Sequence, residues 1–436
     1  MLSALLVTYV WPPTGGAGVG RVLKLAKYLP SHGVTPAVLT VANPSVPLRD
    51  DSLQKDIPLG IDVIRARTFE PGYAAKQAAW QTQSAGAPRR SLVKRAIGRA
   101  AALGKQALAP DPQILWQPAA QAALVARLGS AKRDDVVFIT APPFSTFLSA
   151  PIVRAMRRSA LVLDYRDEWI TYRTQYEMMS RLGAVLGGPM EHAVLRCAHM
   201  ITTATDSFRE NLLAHFPFLD PDRVVTIENG FDPDDFPATL PEPPTDRFTL
   251  TYAGTVFNLT SPRGLLGAIK KLHARAPALA KKLHVKFIGR IVDTELDAFE
   301  GMDALGVERV GYIDKDKVMP ALAASHMVLC ALDDVPGVER VFPAKIFELL
   351  HLDRPCLTLA PAGELRTLVE RCQLGPVIAP RDEAAIADAL EKALRAFEAG
   401  TFPRKAGAIG TDRYDRRVQA GQFADVFRDA VALAGT

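Results

Sequence analysis

The strongest constraint on how this chain can fold is a rhythm. Short apolar runs that read as buried strands alternate with amphipathic helical stretches, and the series occurs twice. In the first half the strand-like runs are Leu5–Tyr9, Ala37–Val41, Asp62–Arg65, Val136–Thr140, Ala160–Leu163, Met200–Ala204 and Val224–Ile227. Helical periodicity falls between them at Val19–Leu29, Phe147–Arg157, 189–199 and Ser207–His215. Parallel strands need a long crossover and a helix usually supplies it, so the alternation predicts a parallel sheet with helices on both faces.

The stretch Phe231–Asp246 breaks the rhythm with five prolines, five acids and no glycine, a composition hostile to helix and strand interiors. A second series follows. Its strand-like runs are Thr249–Gly254, His284–Ile288, Arg309–Tyr312, Met327–Ala331 and Cys356–Leu359, and its helices are Leu265–Arg275, Lys315–Ala323, Ala344–Leu352 and Glu383–Ala396. The tail Asp412–Ala434 reads as one amphipathic helix with Phe423, Val426, Phe427 and Ala430 on a face. At 436 residues the chain is long enough for two domains. We expect an N-terminal domain over 1–235, a linker over 236–248, a C-terminal domain over 249–410, and a helix over 411–436 able to cross back to the first domain. Two such α/β domains imply a cleft between them, with ligands beyond the carboxyl ends of the strands.

Composition narrows the class. No window approaches the apolar length of a membrane span, and the first ten residues lack the basic region and cleavage site of a signal peptide. Cys197, Cys330, Cys356 and Cys372 show no paired spacing, which suits buried thiols of a reducing compartment rather than disulfides or a zinc site. A cytoplasmic protein is the expectation. Residues 71–110 hold Lys76, Arg89, Arg90, Lys94, Arg95, Arg99 and Lys105 and no acid, which outweighs the chain's net charge of +5. On a helical projection these bases oppose Leu92, Val93, Ala96, Ile97, Ala100 and Leu103. Such a face suits an anionic membrane surface or a helix packed on its domain with a solvated basic side. Nucleic acid is disfavoured, since stacking aromatics are sparse there.

After the first strand comes Trp11-Pro-Pro-Thr-Gly15-Gly16-Ala17-Gly18-Val19-Gly20-Arg21, then a helix. A glycine-rich turn feeding a helix N-terminus offers free backbone N–H groups to an anion. It is not a dinucleotide fingerprint, because Arg21 stands where the third glycine belongs and no acid ends the second strand. Nor is it a P-loop, because Arg21 and Val22 replace the phosphate lysine and the magnesium hydroxyl. Neither NAD nor ATP is indicated.

The run WPPTGGAGVGRVLKLAKYLPSHGVTPAVLT (11–40) resembles the opening of the bacterial sugar transferases of glycosyltransferase family 4. The resemblance continues through ITAPPFSTF (139–147), LDYRDEW (163–169), VVTIENGFDPDDF (224–236), LTYAGT (250–255) and FPAKIFELLHLDRPCLTLAP (342–361). It covers nearly the whole chain except 71–110. It implies the GT-B fold: α/β, two Rossmann-like doubly wound domains facing each other across a cleft.

What the resemblance implies about residues is specific. Gly15, Gly16 and Gly18 would approach the donor's diphosphate and sugar. In the second domain the family places an Arg and a Lys after the first strand. Here Thr255 stands at the Arg position, Arg263 at the Lys position, and Lys345 is a substitute cation. Arg263 and Lys345 would then be the clamp on the leaving diphosphate. Glu348 matches the glutamate that contacts the ribose hydroxyls, while Arg340 replaces its partner eight positions earlier. Gly311-Tyr312-Ile313 matches the loop that reads the base, and Gly363 falls in the loop after the Cys356–Leu359 strand. On the acceptor side Thr140 occupies the place of a frequent histidine. Asp164, Arg166, Asp167 and Trp169 follow the next strand, where an acid, Asp167 foremost, can take a hydroxyl proton or bind a sugar. A buried Asp-Arg pair closing the strand is the other reading of Asp164.

Asp232-Pro-Asp234 spells DxD but sits in a turn-like segment, so no metal site and no cofactor are expected. His192 and His199 read as packed helix histidines. The implied activity is transfer of a sugar from a nucleotide-sugar to a hydroxyl acceptor, retaining and metal-independent, with a lipid-linked saccharide of exopolysaccharide or lipopolysaccharide synthesis as acceptor. An epimerase-like enzyme acting on the nucleotide sugar alone, and a non-catalytic nucleotide-sugar-binding subunit, remain as alternatives.

Overall fold

A computed structural model describes residues 1–46, 49–73, 76, 108–131, 134–170 and 181–435. Most of the basic stretch 71–110, including 89–105, therefore lies outside the described residues. The chain forms two compact units, Met1–Glu228 together with Arg416–Thr436, and Asn229–Asp415.

The first unit is a seven-stranded sheet of β1 (Leu2–Val7), β2 (Val34–Val41), β3 (Asp62–Ala66), β4 (Val136–Ala141), β5 (Ala160–Tyr165), β6 (Met200–Thr203) and β7 (Val224–Thr226). The order is β3-β2-β1-β4-β5-β6-β7, with every neighbouring pair parallel. The chain leaves β1 toward β2 on one side and returns at β4 on the other, so the topological switch point lies between β1 and β4. Helices α1 (Ala17–Tyr28), α2 (Gln117–Gly129), α3 (Ala150–Met156), α4 (Arg181–Leu195) and α5 (Asp206–His215) accompany the sheet. Successive strand residues go to opposite faces: Leu5 and Val7 join one apolar cluster, Ala4 and Leu6 the other. Both faces are covered, which is why these strands read as continuous apolar runs.

The second unit repeats the plan with β8 (Phe248–Ala253), β9 (Leu283–Ile288), β10 (Val307–Gly311), β11 (Met327–Ala331), β12 (Cys356–Leu359) and β13 (Val377–Ile378). These strands are parallel in the order β10-β9-β8-β11-β12-β13. Its helices are α6 (Arg263–Arg275), α7 (Pro277–Ala280), α8 (Lys315–Ala323), α9 (Lys345–Leu352), α10 (Glu364–Cys372) and α11 (Glu383–Glu398).

The proline-rich stretch is more than a bare linker. Phe231 stacks on His351 at 4.3 Å between ring centroids and Phe236 meets the same ring edge-on at 4.5 Å. The stretch from Asn229 is thus part of the second unit. Its prolines exclude regular structure, yet its aromatics carry enough apolar area to bury. The last helix, α12 (Arg416–Gly435), belongs to the first unit. Phe423 and Phe427 each lie 5.5 Å from Phe138 of β4, and burying each ring contributes roughly 2 kcal/mol.

Candidate active site

In the first unit the candidate residues gather at the carboxyl ends of β1, β4 and β5. The glycine loop turns at Gly16, whose φ of +103° favours glycine, and α1 starts without a side-chain cap or an acid in its first turn. Arg166 ties this loop to the end of β4. Its guanidinium donates to the carbonyl oxygens of Gly18, Pro142 and Ala141, the last at 3.2 Å. A methyl group on Gly18 would come within 3.0 Å of Arg166 Nη1, so glycine there answers to close approach.

Asp164 is fully buried and its oxygens are occupied. Arg21 pairs with it at 2.8 Å, and the hydroxyls of Thr140 (2.7 Å) and Thr202 (2.8 Å) donate to it. Burial pushes this carboxyl up, but the Arg21 charge and these hydrogen bonds outweigh it and hold it below the usual carboxylate range. Arg21 also donates to the carbonyls of Ile227 and Glu228. An Asp–Arg pair does close the strand, with Arg21 and not Arg166 as the partner. Asp164 and Thr140 therefore have no surface to offer an acceptor. Trp169 is buried too, stacked on Phe144 at 5.3 Å. Of the acceptor-side candidates Asp167 alone is exposed.

Asp167 opens onto a pocket between the ends of β5 and β6 and helix α5, lined also by Glu168, Trp169, Glu191 and Phe208. Burial pushes the Glu191 carboxyl up to about 8, against the lowering effect of the Ile170 N–H, and the nearby Glu168 adds to the rise. Sequence reasoning passed over Glu191. The available signal was a lone acid in the apolar run of α4.

In the second unit three adjacent strands, β8, β9 and β10, end on or next to glycines with positive φ: Gly254 (+149°), Gly289 (+124°) and Gly311 (+80°). The Gly254 N–H donates to Ile288 and the Gly289 N–H to Gly311, which ties the three ends into one ledge. Lys345, in the first turn of α9, lies with Nζ 3.8 Å from the centre of the Tyr252 ring. A Cβ at Gly254 would fall 2.2 Å from that ammonium, so the glycine makes room for the lysine. No carboxylate among the described residues pairs with Lys345. Glu348 follows one turn later, half-buried. Thr255 is exposed on the same ledge, its carbonyl accepting from the Tyr252 hydroxyl at 2.9 Å and from Thr260 at 2.7 Å. Tyr312, 59% exposed, and Ile313 continue from the end of β10. Gly363 precedes α10, where a Cβ would meet the Glu339 carbonyl oxygen at 2.4 Å.

Arg263 does not join Lys345 as a matching free cation. Its guanidinium donates to Asp297 at 3.0 Å and to the Thr294 carbonyl, and it pairs with Glu295 at 3.3 Å. Of the two cations expected in the clamp, Arg263 has carboxylate partners and Lys345 has none among the described residues. Asp232, first acid of the DxD, accepts the Asp234 N–H at 3.0 Å and caps a short turn.

Comparison with known proteins follows the same division. Residues 15–230 match the glycosyl transferase 4-like domain, and residues 247–396 match the glycosyl transferases group 1 domain. A D-inositol 3-phosphate glycosyltransferase of Geodermatophilus obscurus is 27% identical over 239 residues, 51% of this chain and 52% of the relative. The chain thus spans about half the length of the curated relatives it matches. Sucrose-phosphate synthase from Thermosynechococcus elongatus has a similar fold at 15% identity, TM-score 0.64, covering 99% of this chain and 100% of that one. Anabaena HepE, solved in complex with UDP and glucose, matches at 15% identity, TM-score 0.59, covering 98% and 99%. Matched along both units and carrying the GT-B architecture of two parallel-sheet α/β domains, the chain belongs to glycosyltransferase family 4.

Proposed function

We propose that this protein transfers a sugar from a nucleotide-sugar donor to a hydroxyl acceptor, with retention at the anomeric carbon and without a metal. The observation that carries the reading is Lys345: an ammonium with no carboxylate partner among the described residues, in the first turn of a helix, beside a glycine that leaves it space. Departure of a nucleoside diphosphate puts negative charge on phosphate oxygens. Lys345 and the positive end of the α9 dipole are suited to meet that charge. Glu348, one turn on, is suited to the ribose hydroxyls. Thr255 and the Gly254 ledge border the phosphates, Tyr312 and Ile313 the base, and Gly363 shapes the loop beside them. In the first unit the Gly15–Gly18 turn serves the transferred sugar and Asp167 the acceptor hydroxyl.

The acceptor in this proposal is a lipid-linked saccharide at the inner face of a membrane, in exopolysaccharide or lipopolysaccharide assembly. Among the described residues no helix is long and apolar enough to cross a membrane. The basic residues of 89–105 are the proposed contact with anionic lipid. The name of the curated relatives adds D-inositol 3-phosphate to the acceptors to be tried. A second reading, a binding subunit without turnover, draws on Arg263 being occupied by two acids.

One experiment separates them. A thermal-shift panel of UDP-, GDP- and ADP-sugars finds the donor through ligand stabilisation, and release of the nucleotide is then followed with and without acceptor. Transfer supports the enzyme; binding with no turnover under any acceptor supports the subunit.

A further inference from the structure

Arg166 has an unusual set of partners. Its side chain donates to three backbone carbonyls and to no carboxylate, from the residue just past the end of β5. The three carbonyls belong to two different walls. Gly18 lies in the first turn of α1, after β1, while Ala141 and Pro142 form the turn after β4. Strands β1 and β4 are neighbours, and the switch point of the sheet falls between them. In open α/β sheets the ligand crevice forms at that point, outside the carboxyl ends of the strands. Arg166 bridges its two walls.

We propose that Arg166 is a positioning residue for sugar transfer, fixing the glycine loop against the β4 turn so that the crevice keeps one width; this rests on the transferase reading. The chemistry suits arginine alone. A planar fork of five N–H groups can reach three carbonyls in different directions, whereas a lysine ammonium on a flexible stem cannot span them. Gly18 belongs to the same device, since any side chain there would push against the guanidinium. Asp164 does not compete for Arg166, because Arg21 already fills it. Sugar transfer is sensitive to such placement: a misplacement of about 1 Å costs a reaction roughly 10²-fold.

The test uses Arg166→Lys and Gly18→Ala in the full chain, with UDP-glucose and the other nucleotide sugars as probes. Two readouts are followed: hydrogen exchange of the loop 11–22, and the kcat and KM of nucleotide release. We expect faster exchange in that loop with other segments unchanged, a kcat lower by about 10- to 100-fold, and an unaltered donor KM. The double variant should lose no more than the worse single one, because both changes break one contact. Loop protection equal to wild type, a wild-type kcat in Arg166→Lys, or additive losses would each overturn the proposal. If the wild-type protein turns over no nucleotide sugar, the transferase reading fails, and the exchange result alone still decides whether Arg166 fixes the loop.

Discussion

Arg21 Nη2 lies 2.8 Å from Asp164 Oδ1, with the two side chains 2% and 0% exposed. The pair is buried in the first unit and joins α1 to the carboxyl end of β5. Breaking a buried pair by removing one partner strands a charge and costs about 3–5 kcal/mol. Asp164→Asn should therefore lose stability of that order in urea unfolding. The pH dependence has a definite sign. A carboxyl held low in the folded state stabilises above its unfolded pKa, and that stability disappears only as pH falls through the folded value. Acid unfolding of wild type below about pH 4 should thus be steeper than that of Asp164→Asn. Equal slopes would contradict this account of the pair.

Glu191 behaves in the opposite sense. Its carboxyl rises from 4.5 to about 8 on folding, so the folded state favours the protonated form. Ionisation then costs stability progressively as pH climbs from about 4.5 to about 8. Glu191→Gln should match wild type near pH 5 and melt higher near pH 9. A wild-type Tm that is flat across that window would refute the assignment.

The Gly254 ledge offers a third check. Gly254→Ala meets two penalties, a φ of +149° and a Cβ that would press on the Lys345 ammonium. We expect a loss of about 1–3 kcal/mol in stability from the strained backbone. Weaker nucleotide binding by calorimetry should accompany it, because Lys345 is displaced. A variant binding UDP as tightly as wild type would show that Lys345 does not need the space.

Chelation tests the proposed lack of a metal. Asp232 and Asp235 bring carboxylate oxygens within 4.8 Å of one another, so a chelator puts the metal-free proposal directly at risk: EDTA should leave the transfer rate unchanged. Strict dependence on manganese or magnesium would reverse the proposal.

The central strands of both sheets are legible in the sequence because they are buried on two faces and leave apolar runs. Met327–Ala331, Cys356–Leu359 and Lys315–Ala323 form at the expected residues. Boundaries shifted where termini carry weak signals: β1 begins at Leu2 and stops at Val7, two residues before Tyr9. Tyr9 instead turns its hydroxyl to Glu70 at 2.5 Å. The helix read over Phe147–Arg157 begins as a tighter turn over Phe144–Ser149, with the α-helix confined to Ala150–Met156. Helices α2 and α10 and the two-residue β13 went unread.

Side-chain partners were the least legible. Asp164 and Arg166, two residues apart at the end of β5, suggest each other as partners, but Asp164 is claimed by Arg21, which lies 143 residues away in sequence. Arg263 is expected from the resemblance to face the donor, yet Asp297 and Glu295, brought in by a turn after β9, pair with it. No local pattern encodes such distant pairings.

In the proposed transfer Lys345 is the cation that meets the leaving diphosphate. Steady-state rates of nucleotide release should be measured for Lys345→Ala, Arg263→Ala and Glu348→Gln on the donor found by thermal shift. Loss of one preorganised donor costs roughly 10²–10³ in turnover, so Lys345→Ala should lose that much in kcat while remaining folded. Arg263→Ala should lose far less, because its guanidinium is already engaged by Asp297 and Glu295. Glu348→Gln should chiefly raise the donor KM, since ribose contacts persist from ground state to transition state. A folded Lys345→Ala enzyme turning over at the wild-type rate would contradict the central claim.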